Sequence, residues 1–390
     1  MAITSFASVE SLQGLAAAGS TSLLCSLLIL MTQRWHASYS LDRELIGAQK
    51  FHTTPVPRVG GVALLAGLIC AAAVTLSHAW STSDFSNAST MGLLILSAIP
   101  AFLAGLGEDL TKRVSVTTRL IVTFASPLIA SWTVGATLNR IDIWGIDWLL
   151  QFMPLALVVT AVAVAGISNA WNIIDGFNGL AGFTGLIVLA ALAWAAHGVG
   201  DQFLVEMALV GMGAVAGFLL LNYPTGRLFL GDGGAYLLGF WIAELAVLMV
   251  LRNPEVSAWQ MLAICAYPVI EVVYSIYRKK IVRGRSPGMP DRLHFHMLVH
   301  RRLICCVMPK RAGAPWLRNA VTTLALLLFI TPFAVAAALW GGSPGGALTV
   351  IMVQVLVYLA LYARLVRGHW HLNPAVGLGL RSEHHQGSRY

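Results

Sequence analysis

Runs of about twenty apolar residues recur along this chain from Leu12 to Leu365, and a hydrophobic helix of about that length spans the core of a bilayer. Hydrophobic residues make up 57% of the sequence and charged ones only 11%, against roughly 25% charged in soluble domains. No soluble domain of ordinary size fits between the runs, and no Pro-rich or Ser-rich linker or low-complexity tract separates them. The expected fold class is therefore all-α: a polytopic integral membrane protein.

The runs predict about eleven spans: Leu12–Met31, Val59–Trp80, Met91–Leu106, Thr118–Leu138, Leu149–Ser168, Leu180–His197, Phe203–Leu221, Ala235–Leu251, Ala258–Tyr277, Ala320–Leu339 and Ala347–Leu365. Leu12–Met31 lacks a basic n-region and an A-x-A site, so it reads as a span rather than a signal peptide. Lys and Arg set the orientation. With the N-terminus outside and the C-terminus cytoplasmic, 23 of the 25 basic residues fall in inner loops and only Arg140 and Arg252 fall outside. The net charge of +8 then reads as a cytoplasmic face near anionic lipid, with no nucleic-acid partner. A single membrane domain over 1–368, with inner loops at 32–58, 107–118, 168–180, 222–234 and 278–318, precedes a polar tail at 369–390. Its five cysteines show neither C-x-x-C nor zinc spacing and do not read as a disulfide framework.

This topology gathers the polar segments on one side. Lys50–Gly61, Gly105–Leu120, Asn169–Gly182, Phe229–Gly239 and Arg283–Arg302 all reach the cytoplasmic face. The second, fourth, sixth and eighth spans also begin there, with free N–H groups and the positive end of the helix dipole, a setting that suits anions. Arg58 with Gly60–Gly61, Arg119, Asp175–Gly179 and Asp232–Gly234 mark these four starts, and glycines let backbone approach a ligand closely. Helix ends, arginines and isolated carboxylates suit a phosphate–metal complex, since magnesium takes one or two carboxylates and otherwise binds phosphate and water. Asn169 and Asn172 are one helical turn apart, so both amides can face one ligand.

Each piece has a plainer reading: Asp-Gly pairs mark turns, Glu108–Asp109 suits a hydrated loop, and Arg278–Arg285 suits a topology anchor. Their convergence on one face favours a site. Of the carboxylates within spans, Glu206 is expected to be wet near the outer end, and Glu244 lies deep. Glu271 follows a kink expected at Pro268 and is expected to pair with Arg278 or a neighbouring basic group.

These motifs resemble those of the polyprenyl-phosphate N-acetylhexosamine-1-phosphate transferases. NAWNIIDGFNGLAG is similar to the family's N-A-x-N-x-x-D-G signature, and LGDGGAYLLG to its G-D-x-G segment. GLGEDLTKRVSVTTRL resembles the first acidic motif, HTTPVPRVGG the entry to the second span, and PDRLHFHMLVHRR the histidine loop. The likeness runs from Arg43 to Arg302. The acidic pair is Glu108–Asp109 where the family usually has two aspartates, and Asn178 stands where many members have Asp. His294-Phe295-His296 is unlike the three consecutive histidines of the phospho-MurNAc-pentapeptide transferase branch and resembles the branch that starts O-antigen and related glycans.

The resemblance implies transfer of GlcNAc 1-phosphate, or that of a related 6-deoxy amino sugar, from a UDP-N-acetylhexosamine to undecaprenyl phosphate. It implies that UMP is released at the cytoplasmic face of the bacterial inner membrane. It implies Mg2+ (Mn2+ as a substitute) on Asp232 and Asn172, with Asp109, beside Glu108, positioning or deprotonating the lipid phosphate. Lys50 and Arg119 are expected to hold phosphates. His52, Arg58, Asn169, Asp175 and Asn178 are expected to shape the nucleotide–sugar pocket, and Arg292, His294 and His296 to close over the sugar phosphate. Dimers are known in the family. The rival class is a transporter or flippase of a phosphorylated polyprenyl lipid. It expects polar residues through the whole bilayer, and Glu244 is one without a chain of others.

Overall fold

The computed structural model describes residues 6–42, 54–286, 288, 291–309, 311, 314 and 316–368. Lys50, His52 and the tail at 369–390 lie outside the described residues. The bundle consists of α1 (Val9–Met31), α2 (Gly60–Thr82), α3 (Ser86–Thr111), α4 (Val116–Val134), α5 (Met153–Ile174), α6 (Leu180–Gly198), α7 (Gln202–Asn222), α8 (Gly231–Arg252), α9 (Ala258–Ile264), α10 (Ala266–Ile276), α11 (Leu317–Trp340) and α12 (Pro344–Arg367). Among the described residues nine of these are long and apolar enough to cross a membrane, or ten if the bent pair α9–α10 forms one span. The chain is a helical multi-pass membrane protein. The remaining expected span is filled by α4, whose first turn carries Thr117, Thr118 and Arg119 and is more polar for it. The strands described are two residues each, Leu41–Asp42 paired antiparallel with Val56–Pro57.

α8 is the central pillar. It is buried without interruption from Gly233 to Val250 and packs on α2, α3 and α5. A helix that is apolar all round can satisfy itself only in such a place. Lipid gives no hydrophobic drive between helices, so close backbone approach matters more. Gly213 and Gly217 on α7 show it: a Cβ on either would lie 2.2 Å from a carbonyl oxygen of α1.

Two helices run past their predicted ends. α3 continues through the acidic pair to Thr111, and α5 continues through Asn169 and Asn172 to Ile174. Much of the polar sequence therefore sits on last helical turns rather than in loops. The kink near Pro268 is a break of 81° between α9 and α10. Proline has no N–H for the carbonyl four residues back, here that of Ile264, and the helix parts at Cys265.

Glu206 is a correction. It is not wet but only 9% exposed, and it accepts a hydrogen bond of 2.8 Å from the Thr75 hydroxyl, because α7 is enclosed by α1, α2 and α6. Glu244 is 1% exposed, and neither carboxylate oxygen has a hydrogen-bond partner.

Candidate active site

Three helices converge backbone to backbone at one end of the bundle, and glycine permits it. A Cβ on Gly61 of α2 would lie 2.4 Å from the Gly234 nitrogen, and one on Gly105 of α3 would lie 2.4 Å from the Gly233 nitrogen. These glycines admit the start of α8 rather than the close approach of a ligand. The contact puts Arg58, Asp109 and Asp232 side by side, although they are far apart in sequence.

The helix starts are correspondingly less free than the sequence suggested. The Gly60 and Gly61 N–H groups donate to the Phe229 and Leu230 carbonyls at 2.9 Å each. The Gly233 N–H donates to Asp109 Oδ2 at 3.0 Å, and the Gly179 N–H to Asn222 Oδ1 at 2.6 Å. Ser115 Oγ takes the Thr118 N–H at 3.0 Å. Buried N–H groups do not wait unpaired, so the positive groups offered to the cavity are mainly side chains.

A cavity of about 600 Å³ opens above this junction. Arg58, Glu108, Arg119, Asn169 and Asn172 line it, as do Asp175, Asn178, Asp232, His294 and His296. The structure thus brings together most of the residues singled out from sequence. Arg292 is the exception: it is exposed and does not line the cavity. Asp109 does not line it either. It is 2% exposed, with Oδ1 3.4 Å from an Arg58 nitrogen and Oδ2 on the Gly233 N–H. Glu108 does line the cavity, and it accepts the Val114 N–H at 2.9 Å.

Asp232 is held from both sides. Arg58 donates to Oδ1 at 3.1 Å and Arg119 donates to Oδ2. Arg58 also stands 3.7 Å from Asp42, a buried cavity residue that sequence reading missed. Burial alone would lower the Arg58 pKa, but Asp109, Asp232, Asp42 and Asp175 outweigh it and hold the group above its ordinary value. Burial pushes Asp175 up to about 7; Arg58 opposes this, and Asp232 and Asp109 add to it.

The asparagines divide the work. Asn169 donates to Thr123 Oγ1 at 3.1 Å and to the Ala165 carbonyl at 2.7 Å. Asn178 donates to the Pro224 carbonyl at 3.0 Å, so it braces a turn as well as lining the cavity. Asn222, also missed, ties the Gly179 N–H to the Leu228 carbonyl, at 2.6 and 2.7 Å, and so joins the two motif loops. Its signal was a lone amide at the end of an apolar span. Glu271 pairs with His294 at 2.9 Å and not with Arg278, which is taken by Asp291. His296 is fully buried with both ring nitrogens unpartnered, and burial pushes its pKa down to about 3.

The charge set suits a divalent cation. Four carboxylates, Asp42, Asp109, Asp175 and Asp232, share two guanidiniums, those of Arg58 and Arg119. Burial is the main cause of the raised Asp175 pKa; Arg58 opposes it, and the neighbouring Asp232 and Asp109 carboxylates add to it. Among the described residues no three carboxylate, histidine or cysteine side chains form a closed metal cage. Magnesium does not need one when phosphate and water complete its shell.

Residues 91–250 match the family model described as glycosyl transferase family 4. A probable undecaprenyl-phosphate N-acetylglucosaminyl 1-phosphate transferase of Bacillus subtilis is 27% identical over 252 residues, which is 64% of this chain and 66% of that protein. An undecaprenyl-phosphate alpha-N-acetylglucosaminyl 1-phosphate transferase of Thermotoga maritima is 28% identical over 263 residues, 67% of this chain and 74% of that one. A decaprenyl-phosphate N-acetylglucosaminephosphotransferase of Mycobacterium leprae is 24% identical over 326 residues, 76% and 79% of the two chains. The chain thus spans just under two thirds of the Bacillus relative. The structure is an apolar helical bundle with a charged cavity of about 600 Å³ at one end. Over residues 91–250 the chain is similar to glycosyl transferase family 4, and over longer stretches it is similar to polyprenyl-phosphate N-acetylglucosamine-1-phosphate transferases.

Proposed function

We propose that the protein transfers an N-acetylhexosamine 1-phosphate, of GlcNAc or a related 6-deoxy amino sugar, from a UDP-sugar to undecaprenyl phosphate and releases UMP. The observation that carries this reading is the pairing of Arg58 and Arg119 with Asp232 in a cavity at one end of an apolar bundle. Both substrates are anions, so neutralising charge is the first requirement. A lipid phosphate oxygen attacks the β-phosphorus of the donor. The new P–O bond forms as the bond to the UMP oxygen breaks.

Arg58 and Arg119 hold phosphate oxygens, exchanging part of their contact with Asp232 for the substrate. Asp232 and Asn172 would hold Mg2+ or Mn2+, which would neutralise pyrophosphate charge and polarise it. Asp109 acts here as a positioning residue for Arg58 and the start of α8. A strong base is weakly needed, since the second pKa of a phosphate monoester is about 6. The apolar outer faces of the bundle suit the lipid tail. The 23-of-25 partition of Lys and Arg supports a cytoplasmic active site with the N-terminus outside. The inner membrane, and the start of O-antigen or another envelope glycan, fit that placement.

The test is direct. Purified protein with magnesium, undecaprenyl phosphate and a panel of UDP-N-acetylhexosamines should release UMP and form a lipid-linked sugar with at least one donor. Folded protein that releases no UMP from any donor would sink the reading.

A further inference from the structure

His294 and His296 line the same cavity with their rings stacked 5.4 Å apart, yet only one of them is oriented by a partner. His294 Nδ1 lies 2.9 Å from Glu271 Oε1. The Phe295 N–H reaches both Glu271 oxygens, at 3.1 and 3.2 Å. The Tyr358 hydroxyl lies 3.0 Å from Oε2. Glu271 meets donors on both oxygens, the Phe295 N–H and the Tyr358 hydroxyl, as a carboxylate does, and a carboxylate oxygen takes from His294 only an N–H. His294 therefore carries a proton on Nδ1. Nε2, on the far side of the ring, has no partner among the described residues and is the atom left for the cavity.

Glu271 is only 1% exposed and Tyr358 is fully buried. Tyr358 comes from α12, the last helix, where the sequence showed no motif. Tyr362, one turn further along α12, donates to the Leu293 carbonyl at 3.0 Å and also meets Arg278, which holds Asp291. Two helices thus fix the segment from Asp291 to His296 from behind.

We propose that Glu271, braced by Tyr358, is a positioning residue that holds His294 as the Nδ1–H form, so that Nε2 accepts a hydrogen bond from a hydroxyl or acetamido N–H of the donor sugar. This rests on the reading of the cavity as a UDP-sugar site. The chemistry divides the cavity in two: the guanidiniums of Arg58 and Arg119 face the phosphates, and the imidazoles face the uncharged sugar. His296 fits the same side. Burial keeps it neutral, and a neutral ring offers one donor and one acceptor.

The experiment compares UMP and UDP-GlcNAc on the full-length protein in lipid nanodiscs with magnesium, by calorimetry and by transfer kinetics. Glu271→Gln keeps the shape but can turn an N–H toward His294, reversing its tautomer. It should lower kcat/KM for UDP-GlcNAc roughly 10- to 100-fold, mainly through KM, with UMP affinity within about twofold of wild type. In a His294→Ala background the same change should add less than about twofold, as expected for two residues acting as one unit. Tyr358→Phe should raise KM in the same direction by about threefold, which keeps the test open if Glu271→Gln fails to fold. Equal weakening of UMP and UDP-GlcNAc, full additivity with His294→Ala, or an unchanged KM in Tyr358→Phe would overturn the inference. Wild-type protein that neither binds nor turns over any UDP-sugar would overturn the functional reading instead.

Discussion

Raising the pH from 6 to 8 without divalent cations should weaken the folded protein through Asp175. Burial, with added repulsion from Asp232 and Asp109 and against the pull of Arg58, pushes this carboxyl up to about 7. An unfolded aspartate titrates at about 3.9. The folded pKa is raised, so the stability this group contributes is whole below the unfolded value and is lost as pH rises through about 7. Between pH 6 and 8 the unfolded group stays ionised while the folded one gives up most of its proton. The loss over that interval is roughly 1.4 kcal/mol, one tenfold step. Water in the cavity screens part of the charge, so this is an upper figure. His296 and His300, pushed down to about 3 and about 4, stay neutral throughout.

Thermal unfolding in detergent with EDTA at pH 6, 7 and 8 reads the effect, as a fall in Tm on the order of 2 °C. Asp175→Asn should remove that part of the pH slope. Excess magnesium should stabilise wild type more at pH 8 than at pH 6, because the cation competes with the proton for the same negative site. Equal slopes in wild type and Asp175→Asn, or an equal magnesium increment at both pH values, would refute the reasoning.

Three further outcomes follow from the same geometry. Gly105→Ala puts a Cβ 2.4 Å from the Gly233 nitrogen, so it should cost about 1–3 kcal/mol and reduce transfer by more than its stability loss explains. Gly92→Ala on the same helix meets nothing within 4 Å and should be neutral or stabilising by thermal unfolding. Asp109→Asn leaves Arg58 short of charge and should cost about 2–3 kcal/mol and, as a loss of positioning, roughly 100-fold in activity. Glu108→Gln can keep its bond to Val114 and should stay within about tenfold; equal losses in kinetic assays would reverse the two assignments. An impermeant thiol reagent applied to intact cells should label a cysteine placed at Ser83 and miss one at Gly288. Labelling at Gly288 would overturn the orientation.

Hydrophobic length made the fold legible. Ten of the eleven expected spans each overlap one long helix, and Ala258–Tyr277 falls on the bent pair α9–α10, because a run of about twenty apolar residues has few other ways to satisfy its backbone in lipid. The helix limits at Asp109 and Asn172 were not legible. Polar residues ended the apolar runs, but the hydrogen-bonded backbone continued another turn into the interface. The site was legible as a set of residues and not as an arrangement. Asp42 was hidden because its burial comes from a two-residue strand pair, and Asn222 because one amide at a helix end carries no pattern.

The glycines were misread for a related reason. A Gly beside an Asp at a helix start allows close approach, but sequence does not say by what. Here the approaching groups are other helices: α2 and α3 close on the start of α8, and the helix N–H groups are satisfied within the protein. The positive charge of the cavity then comes from the arginine side chains, and Asp232 holds both Arg58 and Arg119 in place. A site built this way carries its positive charge on long side chains, while the carboxylate between them sits at the glycine junction. On the proposed function, phosphate would draw Arg58 and Arg119 away from Asp232 and leave its oxygens open to a cation as the anion arrives.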